Sequence, residues 1–63
     1  MSTFKERLVL EKEELDEKIG KLDSFVKSVK FHEVDEIQQS LLQIQLHAMR
    51  CYGQTLGERL RYL

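Results

Sequence analysis

The chain has 63 residues, a single cysteine and a formal net charge of −1, and 33% of its residues are charged. A chain of this length forms one small domain that is marginal as a monomer, and one cysteine excludes an intramolecular disulfide. The near-neutral charge argues against DNA or an anionic membrane as a partner, and no apolar run is long enough to span a bilayer. Self-association is the remaining common route to stability, so we expect a homo-oligomer.

The first predicted element is an amphipathic helix over about residues 3–27. Ser2 or Thr3 can cap its start, and Glu6 lies three residues after Thr3, which is the spacing of a capping box. Glu11 and Lys12 occupy the turn between Leu8 and Leu15 and so leave a gap in the apolar stripe. We therefore expect the first two turns to lie partly outside the tightest core. The stripe recurs in steps of three, four and seven and consists of Phe4, Leu8, Leu15, Ile19, Leu22, Val26 and Val29.

A turn is predicted at about residues 28–34. Phe31 and Val34 are expected to fold back over the end of the hairpin, in a turn or in a short helical turn. Asp35 is a good N-cap for a second helix, and Gln38 three residues later completes a second capping box. The chain is therefore predicted to be all-α, a single domain formed by an antiparallel two-helix hairpin.

The second helix is predicted over about residues 36–61, and its apolar pattern is wider than one stripe. One lane consists of Ile37, Leu41, Ile44, Ala48 and Cys51. A second lane consists of Leu42, Met49, Leu56 and Leu63 at intervals of seven, with Leu46, Tyr52 and Leu60 beside it. Because one partner helix cannot cover that arc, we expect the hairpins to assemble into a homo-oligomeric helical bundle.

Gly53 and Gly57 lie one turn apart in this helix, where each glycine costs about 1 kcal/mol relative to alanine. They could permit close approach of another helix, end the helix, or leave space for a ligand. Their polar surroundings argue against a membrane dimer motif. We favour close packing between subunits, and the predicted oligomer interface consists of Leu42, Met49, Gly53, Leu56, Gly57 and Leu60.

The second helix also carries the candidate ligand-binding residues. A polar lane at helical spacing contains Gln43, His47, Arg50, Gln54 and Arg61. Arginine presents a planar fork suited to phosphate, and tyrosine can stack on a base. The predicted ligand-binding set is Arg50, Tyr52, Gln54, Arg59 and Arg61. A solvated face with scattered salt bridges is the alternative interpretation of the same residues.

Catalytic and metal-binding patterns have little support in the sequence. His47 and Cys51 are spaced to share a metal ion, but two ligands are too few, so no metal or cofactor is predicted. The chain has no glycine-rich phosphate loop and no nucleophile elbow. Carboxylates of the first helix alternate with lysines, as on a solvated helix face. We expect that the protein is not an enzyme.

Short motifs spread over nearly the whole chain carry a resemblance to a known family. They are Phe4–Leu8, Leu22-Asp23-x-Phe25, Lys30-Phe31, Asp35-x-x-Gln38-Gln39-x-Leu41-Leu42, Gln45-Leu46-x-Ala48-Met49 and Tyr52. The pattern resembles a family of small phage proteins first catalogued in crAss-like gut phages. These motifs are mostly structural, so the resemblance specifies a fold better than a chemistry.

The resemblance implies a short phage gene product that acts in the cytoplasm of the bacterial host. Small oligomeric helical proteins in that setting often counter host defence, and one class consists of helical-hairpin sponges that hold immune signals between subunits. The predicted function is a non-enzymatic anti-defence sponge for a cyclic-nucleotide or ADP-ribose-type signal. One alternative is an inhibitor that binds a host or defence protein through an apolar face around Leu42, Met49 and Leu56, and another is a structural or assembly protein.

Overall fold

The computed structural model describes residues 3–63 and contains two α-helices joined by a short 3-10 helix. Helix α1 spans Phe4–Val26, the 3-10 helix spans Val29–Glu33, and helix α2 spans Glu36–Arg61. The described residues contain no strand, so the predicted all-α class is confirmed, and the two helices are consistent with the predicted hairpin. Ser2, one of the two candidate caps of α1, lies outside the described residues.

Helix α1 begins in a capping box and ends in a serine turn. The Thr3 hydroxyl accepts a hydrogen bond from the Glu6 backbone N–H at 3.1 Å, and the Glu6 carboxylate accepts one from the Thr3 N–H at 3.4 Å. Two otherwise unpaired backbone donors are satisfied in this way. At the other end, the Ser28 hydroxyl donates to the carbonyl of Phe25 at 2.6 Å and competes with continuation of the helix.

Helix α2 begins at a single aspartate cap. The Asp35 carboxylate accepts hydrogen bonds from the backbone N–H groups of Ile37, at 3.1 Å, and Gln38, at 3.4 Å. The return bond predicted for the Gln38 side chain is not found among the described residues. The neighbouring Gln39 side chain donates instead to the carbonyl of Val34 at 2.7 Å, which ties α2 to the preceding segment.

The closed end of the hairpin is sealed by aromatic packing. Phe31 in the 3-10 helix is buried, and its ring meets that of Phe25 edge to face, with centroids 6.0 Å apart. Val34 beside it is half-buried. Val29, in contrast, is 82% exposed, because α1 ends at Val26 and the helical period that placed Val29 in the apolar stripe stops there.

The core of the hairpin lies toward its open end. Leu8 and Leu15 of α1 pack with Leu56 of α2, and the partly buried neighbours of this cluster are Ile19, Met49 and Leu60. Leu8 is only 4% exposed, so the expectation that the first two turns lie outside the tightest core is wrong for this residue. Phe4, the apolar residue of the first turn, is 55% exposed.

Lys12 explains why the gap in the apolar stripe does not open the core. An ideal Cβ at Gly57 would lie 3.4 Å from Cε of Lys12, so the lysine stem runs across the glycine. The Lys12 ammonium reaches the edge of the hairpin and pairs with Asp16 at 3.0 Å. The methylenes of Lys12 therefore continue the apolar stripe while its charge stays in water.

Gly53 brings the two helices of the same chain together. It is buried, and an ideal Cβ there would lie 3.3 Å from Cδ1 of Ile19. Since α2 continues through both glycines to Arg61, they do not end the helix. The close approach inferred from the glycines is present, but it joins α2 to α1 inside one hairpin.

The residues predicted to form the oligomer interface lie on the side of α2 that faces α1. Leu56 is fully buried, and the others are buried or half-buried, namely Leu42, Met49, Gly53, Gly57 and Leu60. The same burial removes Leu42, Met49 and Leu56 as the exposed patch of an inhibitor. The apolar surface that one chain leaves open is the other lane of α2, formed by Ile37, Leu41, Ile44 and Ala48 and called the exposed lane below.

Candidate functional site

A groove runs along one flank of the hairpin, where α1 and α2 meet beside Gly53. Its volume is about 510 Å³, which lies within the range of small-molecule sites. Helix α1 contributes three side chains at steps of four and three residues, and α2 contributes five residues around Gly53. The lining consists of Lys12, Asp16, Ile19, His47, Arg50, Cys51, Gly53 and Gln54.

The antiparallel register of the two helices brings these residues together. Residues 47, 50 and 54 recur in steps of three and four and so share one face of α2. Asp16 lies directly across from this face, since an ideal Cβ on Gly53 would be 3.6 Å from its Oδ1. Because Gly53 has no side chain, residues of α1 can approach the α2 backbone closely beside the groove.

Arg50 is held by an ion pair across the hairpin. Its Nη2 donates to Oδ1 of Asp23 on α1, and Oδ2 of Asp23 accepts a second bond from Nζ of Lys27 at 2.9 Å. Asp23 is the least exposed of the three side chains. One carboxylate thus orients the guanidinium of Arg50 while the three groups together keep a net positive charge.

The surroundings of Asp23 lower the pKa of its carboxyl below the ordinary value of 3.8. The largest cause is the hydrogen bond from Lys27, with the charges of Lys27 and Arg50 adding to it and partial burial opposing it. A depressed pKa means that folding favours the ionised form. The Arg50–Asp23 pair therefore contributes above the ordinary carboxyl pKa and is lost as the pH falls through the lowered one.

We expect an NMR titration of the wild-type Asp23 carboxyl to give a midpoint below 3.8. Lys27→Met should raise that midpoint more than Arg50→Met, because the bond from Lys27 is the larger cause. Lys21→Met is the matched control, since Lys21 pairs with Glu17 on the outer face of α1. Equal midpoints in wild type and Lys27→Met would contradict the assignment.

A second ion pair lies at the other side of the groove. Lys12 Nζ donates to both carboxylate oxygens of Asp16, at 3.2 and 3.0 Å. Lys12 is partly covered by its packing on Gly57, whereas Asp16 is about half exposed. The groove thus offers two cations from different helices and one carboxylate that is open to solvent.

The structure separates the five predicted ligand-binding residues into two groups. Arg50 and Gln54 line the groove, whereas Tyr52 and Arg59 do not. With 3.6 residues per turn, Tyr52 lies about 160° and Arg59 about 180° around α2 from Arg50. Arg59 stacks instead over the Phe4 ring, with Cζ 6.0 Å from the ring centroid. A single pocket that combines all five residues is therefore not formed within one chain.

Arg61 faces the same side as Arg50 but lies too far along the helix. Eleven residues separate the two, which is about 16 Å along the axis. The Arg61 guanidinium is 5.5 Å from the centroid of the Tyr62 ring and 3.9 Å from a Glu58 oxygen. It therefore belongs to the end of α2 and not to the groove.

His47 and Cys51 lie one turn apart on the groove side of α2. The Cys51 Sγ is 3.8 Å from Nε2 of His47. Across residues 3–63, no third histidine, cysteine or carboxylate joins them in an arrangement suited to a metal ion. The pair supplies polar lining to the groove, with the thiol exposed.

Sequence reasoning missed the contribution of α1 to the groove. Lys12, Asp16 and Asp23 read as ordinary members of a charged helix face, and their partners on α2 were not evident. One signal was present in the sequence. Lys12 occupies the gap in the apolar stripe, and a lysine there can cover apolar surface with its methylenes while its ammonium lies at the edge of the helix contact.

Comparisons with known proteins place the chain in a family. A family model described as Sequestin matches residues 2–62. No curated protein and no solved structure matches the chain. Neither helix among residues 3–63 is long and apolar enough to cross a membrane. The family name suggests a sequestering role, which implies a binding partner. Because the match covers nearly all of its residues, the chain belongs to the Sequestin family.

Proposed function

We propose that the chain is a non-enzymatic sequestering protein that binds a phosphate-bearing nucleotide signal, of cyclic-nucleotide or ADP-ribose type, in the flank groove. The observation that supports this ligand class is the convergence of Lys12 and Arg50, from different helices, on one groove. His47 and Gln54 add hydrogen-bonding groups to the lining of the same groove. Phosphate oxygens are preferred partners of such cations.

The charge balance of the groove favours a small ligand over a long polyanion. Arg50 and Lys12 are each paired with a carboxylate of the same chain, so few positive charges are left for phosphates. Arg50 nevertheless keeps free N–H donors beyond those that face Asp23, because a guanidinium has five. The Asp16 carboxylate can accept hydrogen bonds from ribose hydroxyls or an exocyclic amine.

Sequestration here means that the protein binds the nucleotide signal and does not convert it chemically. The chain would lower the free concentration of the signal in proportion to its own amount, as the family name suggests. In the phage setting implied by the sequence resemblance, the captured molecule is an immune signal of the infected bacterium. The protein would then act against host defence from the host cytoplasm.

The test is titration calorimetry of the full chain against cyclic di- and trinucleotides and cyclic ADP-ribose isomers. Hydrogen bonds to charged groups contribute about 1.5–3 kcal/mol, so Arg50→Ala should weaken binding roughly 10- to 150-fold. Arg59→Ala is the matched control, because Arg59 lies on the opposite side of the same helix. Its dissociation constant should stay within about twofold of wild type.

The outcomes of this experiment separate the parts of the proposal. An absence of heat with every compound would overturn the nucleotide ligand. Equal losses in Arg50→Ala and Arg59→Ala would overturn the groove as the site. After binding, the ligand should be recovered unaltered when the protein is heat-denatured and the supernatant is analysed by mass spectrometry. Recovery of a product would overturn sequestration without catalysis.

A further inference from the structure

The exposed lane of α2 is an apolar surface with no partner among residues 3–63. Its members recur in steps of four, three and four residues, so they lie on one face of the helix. Ile37, Leu41 and Ile44 are each more than half exposed, at 70%, 51% and 64%. No charged residue interrupts the lane between residues 37 and 48 at this spacing. The outer face of α1, in contrast, is dominated by lysines and glutamates.

The chain also exposes more surface than a compact protein of its size. The hairpin measures 44 × 18 × 14 Å, and its radius of gyration is 14.5 Å, against about 11 Å for a compact 63-residue domain. Its solvent-accessible surface is 5126 Å². A folded monomer of 7.5 kDa exposes about 4,200 Å². The excess of about 900 Å² matches the roughly 800 Å² that each partner contributes to a standard interface.

We propose that a second copy of this chain covers the exposed lane, with α2 of one chain packed against α2 of its partner. The alternation of three- and four-residue steps is the spacing that lets apolar side chains of two helices interlock. A twofold axis places the same lane on both sides of the contact, so the surface is complementary to itself. The net charge of −1 per chain gives two copies little mutual repulsion. The product is a four-helix bundle with α2 of each chain inside.

This arrangement leaves the flank groove open. Arg50 follows Leu41 by nine residues, or two and a half turns, and so lies about 180° from it around α2. The Arg50 side of each groove therefore points away from the contact, whereas Cys51 at the other edge of the groove borders the lane, and each groove is complete within one chain. The dimer then takes one ligand per chain, and not one ligand shared between chains. This stoichiometry rests on the proposed function, whereas the docking of the second copy does not.

The experiment is the solution mass of the full chain, measured by sedimentation equilibrium. Wild type is expected to sediment as two chains, and Ile44→Lys as one chain over the same concentration range. Leu10→Lys is the matched control, because Leu10 is 53% exposed on α1 and outside the lane. It should retain the mass of two chains. A wild-type mass of one chain at the highest concentration, or two chains in Ile44→Lys, overturns the proposal.

A second measurement covers a variant that loses its fold when it loses its partner. Substitution of an exposed residue in a monomer changes stability by about 0.5 kcal/mol or less. Unfolding of Ile44→Lys, with Leu10→Lys folded, therefore supports a partner on the lane. The thermal midpoint of wild type should also rise with protein concentration over a hundredfold range, because association stabilises the folded state. An unchanged midpoint overturns the proposal.

Ligand binding is read separately in the calorimeter. A dimer that binds no nucleotide keeps the docking surface and overturns only the proposed function. A dimer that binds one ligand per two chains keeps the ligand and overturns the open-groove arrangement. A single chain that binds nucleotide overturns the docking surface alone and leaves the lane free for a different protein.

Discussion

Leu56→Ala is expected to destabilise the chain by about 2–5 kcal/mol, as large-to-small changes in a protein core do. Leu56 is the one described residue whose side chain is fully buried, and it joins Leu8 and Leu15 in the core. A stability of about 0.05–0.15 kcal/mol per residue gives roughly 3–9 kcal/mol for this chain. The substitution therefore removes a large share of the total, and a substantial unfolded population is expected at 37 °C.

The measurement is urea unfolding followed by circular dichroism at 222 nm, with wild type and variant at one protein concentration. Leu10→Ala makes the same chemical change at an exposed site of α1 and should shift stability by no more than about 0.5 kcal/mol. A loss below about 1 kcal/mol in Leu56→Ala would mean that the α1–α2 contact is not where the stability of the hairpin lies.

Much of the fold could be predicted from interactions between residues that are close in sequence. Thr3 and Asp35 cap helices that begin at the next residue, because their side-chain oxygens reach backbone N–H groups two or three positions on. A single apolar stripe made α1 unambiguous, and Leu8 and Leu15 lie in the core as such a stripe requires. These features depend on neighbours in sequence, so the sequence contains them.

The orientation of α2 was harder to predict, because α2 carries two apolar lanes. Both lanes have aliphatic residues at helical spacing, and hydrophobicity alone does not say which one faces α1. Gly53 favours its own lane, since it lets Ile19 approach the α2 backbone. The glycine alone, however, does not distinguish a helix of the same chain from a helix of another subunit. In the structure α1 is the helix that approaches Gly53, because it is the nearest partner along the chain.

The groove could be predicted only in part for a related reason. Arg50 and Gln54 share a face of α2 and could be predicted together, whereas Tyr52 and Arg59 lie about 160° and 180° around the helix from Arg50. Lys12, Asp16 and Asp23 depend on the register of α1 against α2. That register is set by the packing of Ile19 on Gly53, with the flexible stem of Lys12 lying across Gly57, and no single-helix pattern encodes either contact.

Gly53→Leu is expected to destabilise the hairpin by about 1–3 kcal/mol or more, as overpacked cores do. An ideal Cβ at Gly53 already meets Ile19 at 3.3 Å, Asp16 at 3.6 Å and Leu15 at 3.8 Å, and a leucine adds three further carbons. Replacing a helical glycine also gains up to about 1 kcal/mol of helix propensity. That gain is smaller than the cost of pushing α1 away from α2, so the clash determines the sign.

Gly57→Leu is the matched control, because it makes the same change one turn later on the same helix. The nearest atom to an ideal Cβ there is Cε of Lys12, at 3.4 Å, near the end of a flexible side chain that can swing aside. The helix-propensity gain should then dominate, and Gly57→Leu should be neutral or stabilising. For a chain of this size each 1 kcal/mol moves the thermal midpoint by about 4–8 °C, so the two variants should differ by roughly 4 °C or more. Midpoints that move together would show that Gly53 does not set the distance between the helices, and the register that assembles the groove would then have another cause.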